Sequence, residues 1–317
     1  MAMLAVLAIS GTVHAAEYAT ENFVIKNAPT PELAQLFGET AERCRLEMAE
    51  LWLGTHLPPW SAPCPIRVKV GPFGAGGQTT FIPHNGEVYG WEMDIQGTAE
   101  RIVDSVLPHE ITHMVLASHF REPLPRWLDE GAATSVEHVS EQSNYRRMLL
   151  NFLDPGEAKA LPFNKMVALR EYPADPMPLY AQGHAVVEFL LLQDGHRHFI
   201  RFVECGMRTK NWTAAVRESY GYANLGEFQI AWSRWMRDGF PKTDLTAYRS
   251  ASRRENGVVT TPVAPPQPMV AEALPAYAAK TVLPGPAEDE RIVLRAPAGQ
   301  PVSESSILLE WSRPVYR

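Results

Sequence analysis

The chain has 317 residues, of which 45% are hydrophobic and 21% charged. This composition fits one ordinary globular domain with extensions, or two domains at most, and excludes a low-complexity polymer or a mini-protein. The 29 basic and 36 acidic residues leave a net charge of -7, and no Lys/Arg cluster forms the basic stripe that phosphate binding requires, so nucleic acid is not an expected partner.

Taken from the N-terminus, Met1 to Ile9 is a short apolar run, followed by Ser10 and Gly11 and then by Val13-His14-Ala15-Ala16, which resembles a signal-peptidase site. Residues 1–16 are therefore expected to be a signal peptide and the protein to be exported, periplasmic or secreted. No later stretch reaches the roughly 18 apolar residues of a membrane span, so no transmembrane segment is expected after cleavage. Residues 31–54 place Leu33, Leu36, Phe37, Cys44, Leu46, Met48, Leu51 and Trp52 at helical recurrence, behind Thr30 as N-cap and Pro31 in the first turn. Three β-like runs follow: Ile66–Val70 with period two, Thr79–Ile82 after a glycine-rich turn, and Val88–Ile95 after Asn85-Gly86. They predict a small antiparallel sheet.

From Thr98 the pattern turns helical, with Ile102, Val103, Val106, Leu107, Ile111, Met114, Val115 and Leu116 forming one apolar stripe. Pro108 inside that stripe predicts a restart or a kink. A second helix is expected from about Pro125 or Trp127 through Val136, and further helices at 141–152, 179–193, 198–208 and 225–238. The class is α+β: a small antiparallel sheet followed by a mainly helical domain, spanning residues 17–248. Beyond residue 249 Pro262, Pro265, Pro266, Pro268, Pro275, Pro284 and Pro286 interrupt any period. Residues 249–317 read as a mostly disordered tail, in which Ile292-Val293-Leu294 and Ser306–Trp311 could each dock as a strand. Cys44, Cys64 and Cys205 lack the spacing of a structural zinc module and are too few for a disulfide framework. One bridge, for instance Cys44 to Cys64, is compatible with them.

The segment that carries chemistry is Leu107-Pro108-His109-Glu110-Ile111-Thr112-His113, which contains HExxH. On a helix, residues i and i+4 lie one turn apart, so both imidazoles can reach one ion at the zinc–nitrogen distance of about 2.0–2.1 Å. Glu110, one residue after the first ligand, borders the same face and can take a proton from a metal-activated water as general base. With 10 His and 27 Glu in 317 residues, chance would supply roughly 0.03 such matches.

A catalytic zinc ion usually has three protein ligands and an open position, so a third is needed. His119 has the spacing of the metzincins, but Leu116 stands where their glycine turns the chain. If the helix simply continues, His119 lies about 240° around the axis from His113 and faces away. The other candidate is Glu130 in Pro125-Arg126-Trp127-Leu128-Asp129-Glu130-Gly131-Ala132-Ala133. That segment resembles the WLxEG(x)A segment of the gluzincins, the peptidase MA-like zinc metallopeptidases. The resemblance covers roughly residues 60–240 and implies a zincin-like fold, Glu130 as third zinc ligand on a helix returning beside the HExxH helix, and Gly131, Ala132 and Ala133 allowing the two backbones to approach. It also implies an edge strand that binds extended substrate, for which Val88–Ile95 is placed, with Gly90 easing the approach, and a tyrosine such as Tyr180 that could stabilise an oxyanion. Asp129 could replace Glu130 or bond the second ring nitrogen of a ligand, and Glu137 and His138 could support the ligands from behind.

The expectation is a zinc-dependent hydrolase acting on a peptide or protein. In it His109, His113 and Glu130 hold the metal and Glu110 is the catalytic base. The alternative is a catalytically inactive zinc-binding relative serving as an envelope or extracellular binding module.

Overall fold

The computed structural model describes residues 15–154, 159–169, 171–243, 245, 248 and 292–295. The expected signal peptide lies outside the described residues apart from Ala15 and Ala16, and so does the expected tail apart from 292–295.

Strands β1 (Ala16–Ala19) and β2 (Phe23–Ala28) open the described chain, and helix α1 (Pro31–Leu53) follows. As expected, Thr30 caps α1, accepting from the Leu33 N–H at 3.3 Å, and Gly54 closes it at φ 63°. Strands β3 (Cys64–Val70), β4 (Gly76–His84) and β5 (Glu87–Gly97) come next. Asn85 and Gly86 join β4 to β5 at φ 51° and 75°, the left-handed pair that an Asn-Gly hairpin turn adopts at least cost.

The sheet is larger than expected and is not antiparallel. It has six strands in the order β1-β2-β3-β5-β4-β6, where β6 is Ile292–Arg295. β2, β3 and β5 run parallel, and β1, β4 and β6 pair antiparallel with their neighbours. For β2 and β3 the cause is α1, because a chain that leaves one strand through a long helix returns to the same end of the sheet and re-enters it parallel; β5 runs parallel to β3 because it turns back from β4 and inserts between the two. Buried and exposed residues alternate along β3, leaving an outer face where Arg67 pairs with Glu92 at 2.8 Å and Asp94 at 3.3 Å.

After β5, α2 (Ala99–Arg101), capped by Thr98, passes through a π-helical turn at Ile102–Val106 into α3 (Leu107–Phe120). The Leu107 N–H reaches back five residues to the Ile102 carbonyl. Pro108 stands directly after this widened turn, which relieves the clash that a proline ring makes with the carbonyl four residues before it. From Leu107 to Ala117 every residue of α3 except Pro108 is buried. Ile111, Met114 and Val115 join Phe23, Phe37 and Met93 in a core between α1, α3 and the sheet, whereas Leu116 belongs to a second, helical core with Trp127, Phe189 and Trp232.

That second core is built by α4 (Arg126–Thr134), α5 (Val139–Phe152), α6 (Phe163–Met166), α7 (Met177–Thr209), α8 (Trp212–Tyr220) and α9 (Leu225–Arg237). The helices expected at 179–193 and 198–208 are the two helical segments of α7, which meet at a kink where Gly195 leaves helical geometry (φ 75°, ψ 179°). Cys44, Cys64 and Cys205 are all thiols, so the compatible bridge does not form. Among the described residues no helix is long and apolar enough to cross a membrane.

The small residues of α4 serve a different contact from the one expected. A Cβ at Gly131 would collide with the Gly183 carbonyl of α7, and one at Gly183 would collide with the Trp127 carbonyl of α4. The close approach at Gly131 is thus between α4 and α7, with backbone against backbone and the Val187 side chain of α7 beside it. Gly131→Ala should lower stability by about 1–3 kcal/mol, the usual cost of overpacking, seen as a drop in melting temperature.

Candidate metal centre

Helix α3 presents His109 and His113 one turn apart, with their Nε2 atoms separated by 3.1 Å. α4 brings Glu130 to them from the helical side, its Oε2 lying 3.5 Å from His109 Nε2 and 3.6 Å from His113 Nε2. All three side chains are fully buried. Three ligands on a tetrahedral ion at about 2.0–2.1 Å would be about 3.3–3.4 Å apart, so the observed triangle has the size that such an ion needs. Glu130 Oε2 is also a buried acceptor without a hydrogen-bond partner, as an oxygen reserved for a cation would be. The His109–His113–Glu130 group can therefore hold a metal ion.

Each imidazole is oriented from behind. His109 Nδ1 lies 2.7 Å from Glu137 Oε1, and His113 Nδ1 lies 2.8 Å from Asp129 Oδ1. With Nδ1–H donating to a carboxylate, Nε2 is left to offer its lone pair to the centre. Asp129 and Glu137 thus take the supporting roles open to them. His138 does not, because it caps α5, its ring accepting from the Ser140 N–H at 3.3 Å.

The carboxylates dominate the electrostatics. Burial alone would push both imidazoles down, but Glu130 and Glu137 hold His109 up at about 9, and Asp129 and Glu130 raise His113 well above its ordinary value. Burial would likewise raise Glu130, yet the two imidazoles beside it, His113 foremost, bring it down to about 2. The cluster attracts positive charge, whether protons or a divalent cation.

Glu110 sits at the sheet side of this centre. Its Oε2 accepts from Thr79 Oγ1 of β4 at 2.6 Å, and the missing side chain of Gly77 leaves the space that its carboxylate fills. Burial pushes its pKa upward, with the two imidazoles and the Thr79 hydrogen bond opposing. His119 takes no part. α3 runs on to Phe120 and is capped by Arg121 at φ 57°, so His119 points outward and meets Glu204 at 2.9 Å.

Sequence reasoning missed one residue at the centre. The Tyr172 hydroxyl donates to Glu130 Oε1, which leaves Oε2 turned toward the histidines. Tyr172 stacks on Tyr180 with ring centroids 6.3 Å apart, and the Arg126 guanidinium lies 4.5 Å over its ring. Tyr180, the tyrosine singled out earlier, is buried behind it. Tyr172 lies between α6 and α7 in Glu171-Tyr172-Pro173, which has no periodicity to mark it. Thr79 and Gly77 stand in a recognisable strand and turn, but nothing local shows that they face Glu110.

Comparison with family models, with curated proteins and with solved structures gives no match to this chain. The ligand set is best tested on metal content. Glu130→Ala should abolish stoichiometric metal in the purified protein, while His119→Ala should leave it, as measured by inductively coupled plasma mass spectrometry. Tyr172→Phe should keep the metal but weaken its affinity about 10- to 100-fold, the range for lost outer partners of a ligand, as read by chelator competition.

Proposed function

We propose that the protein is a zinc-dependent peptide-bond hydrolase of the gluzincin kind, exported and acting on peptide or protein segments. The observation that carries this reading is a carboxylate, Glu110, held beside a buried His109–His113–Glu130 triangle but outside its three closest ligand atoms. Two imidazoles and one carboxylate make the donor set of a catalytic zinc ion. When bound, the ion supplies Lewis-acid polarisation of the scissile carbonyl and lowers the pKa of water at the centre.

The chain's own residues do the rest. Glu110 accepts the proton of the attacking water and can return it to the departing amine. Thr79 fixes the carboxylate by its hydroxyl, so the acceptor oxygen needs no reorientation during the reaction. Asp129 and Glu137 hold the two rings in one tautomer.

An extended substrate would pair with β4. The expected strand, Val88–Ile95 in β5, is paired with β4 over its length and with β3 from Met93 onward. Gly90, at φ 63°, sits where the β4–β5 register shifts between Thr80 and Ile82, which accounts for it without a substrate. β4 carries Gly77 and Thr79, so a chain laid along its outer edge passes Glu110.

Glu110→Gln keeps shape and removes the proton acceptor. The variant should fold, bind as much zinc as the parent, and hydrolyse peptides more slowly by 10² or more, in line with the roughly 10²–10⁴ that general acid–base catalysis contributes. Equal rates at equal zinc would sink the mechanism. A parent that binds zinc and cleaves nothing in a broad peptide library would favour the inactive binding module instead.

A further inference from the structure

The outer edge of β4 is occupied by the chain itself. β6 pairs antiparallel with it, matching Gln78 with Arg295, Thr79 with Leu294, Thr80 with Val293 and Phe81 with Ile292. Thr79, opposite Leu294, is the residue whose hydroxyl holds the Glu110 carboxylate. Leu294 is 2% exposed and belongs to the core that contains Phe81, Trp91 and Ile111, and β6 also lies against α3. A strand from the far C-terminal region thus lies next to the HExxH helix, on the one sheet edge that passes the proposed base.

Two features separate β6, at the edge, from the strands inside the sheet. Its described residues number four, whereas β3, β4 and β5 have 7, 9 and 11. It is also joined to the rest of the protein only through residues 249–291, so its encounter with β4 is intramolecular and favoured by linkage rather than by a large contact. A backbone edge has one set of N–H and C=O groups, and pairing with β6 excludes pairing with any other chain at Gln78–Phe81.

We propose that residues 292–295 are an internal competitor for the peptide-binding edge of β4, so that the full chain is held in a self-occupied state from which an extended substrate must displace its own C-terminal strand. This rests on the hydrolase reading above, in which β4 is the edge that substrate uses. The competitor's specificity resides in the apolar side chain buried opposite Thr79, so the displacing segment is expected to be extended and to carry a Leu-like residue there. Competition within one chain raises KM and leaves kcat alone, since the undocked fraction turns over at the full rate.

The test is Leu294→Asp in the full-length protein, which would place a carboxylate in that core and so undock β6. Hydrogen exchange of the backbone amides at 78–81 should accelerate by on the order of tenfold or more, the scale of one buried leucine. KM for peptide substrates should fall by a comparable factor with kcat unchanged. A synthetic peptide spanning residues 289–298 should restore protection at 78–81 and inhibit the variant competitively. If Leu294→Asp fails to fold, as judged by circular dichroism, Leu294→Ala should shift the same readouts in the same direction with smaller amplitude.

Unchanged exchange at 78–81 in the folded variant would overturn the proposal, as would accelerated exchange with an unchanged KM. If no variant hydrolyses any peptide at full zinc content, the hydrolase reading fails. Self-occupancy of the edge is still decided by exchange and by its reversal with the added peptide. The two failures are thereby distinguishable.

Discussion

Two imidazoles taken wholly out of water must find partners for both ring nitrogens, and this requirement organises the centre of the protein. An unpaired buried polar group costs on the order of 1–3 kcal/mol, and an unpaired charge costs more. Here the four ring nitrogens of His109 and His113 face Glu137, Asp129 and the shared Oε2 of Glu130. Three of the partners lie on or just beyond α4, so α4 must return against α3 in one register. The direction is also set: the pairing carboxylates come from the helical side, and Glu110 reaches the sheet side to meet Thr79. The HExxH helix consequently belongs to two cores at once, with Ile111 and Met114 in one and Leu116 in the other.

Holding α4 in that register is the task of α7. Gly131 and Gly183 let the two backbones meet at carbonyl distance, directly after the ligand Glu130 and one turn after Tyr180. Tyr180 stacks on Tyr172, and Tyr172 donates to the Glu130 oxygen that faces away from the histidines. The chain of contacts runs from a helix crossing, through a ring pair, to one carboxylate oxygen. Ligand orientation is thus a consequence of packing well outside the centre, as a site built on rigid elements requires.

Much of this was legible in local sequence because local rules decide it. The Thr30 cap, the Asn85-Gly86 turn, the helical stripe with Pro108 inside it, and the i, i+4 spacing of His109 and His113 each depend on neighbours within a few residues. Glu130 was legible by resemblance, and Asp129 and Glu137 by their proximity to it. What escaped depends on long-range closure. β2 is short and was not distinguished, and without it α1 could not be recognised as a crossover that makes the sheet parallel. Thr79 lies 31 residues from Glu110 and Tyr172 lies 42 from Glu130, so no periodicity links either pair. The role of Gly131 was misassigned for the same reason: a glycine beside a ligand announces a close approach but not which helix approaches.

The mixed sheet also explains why its last strand matters. The parallel strands β2, β3 and β5 lie inside the sheet, whereas β4, antiparallel to β5, has an outer row of backbone groups that is covered, among the described residues, by β6 alone. An open edge invites pairing with other chains, and proteins commonly cover such edges. A permanent cover would keep every other chain from the edge beside Glu110, and a bare edge would pair without control. A strand such as β6, with Leu294 buried in the core, lies between these extremes, because each pairing group it satisfies can be satisfied equally by another extended chain. The backbone chemistry that pairs β4 with β6 is the same that would pair it with a peptide, and Leu294 is a buried side chain that favours β6.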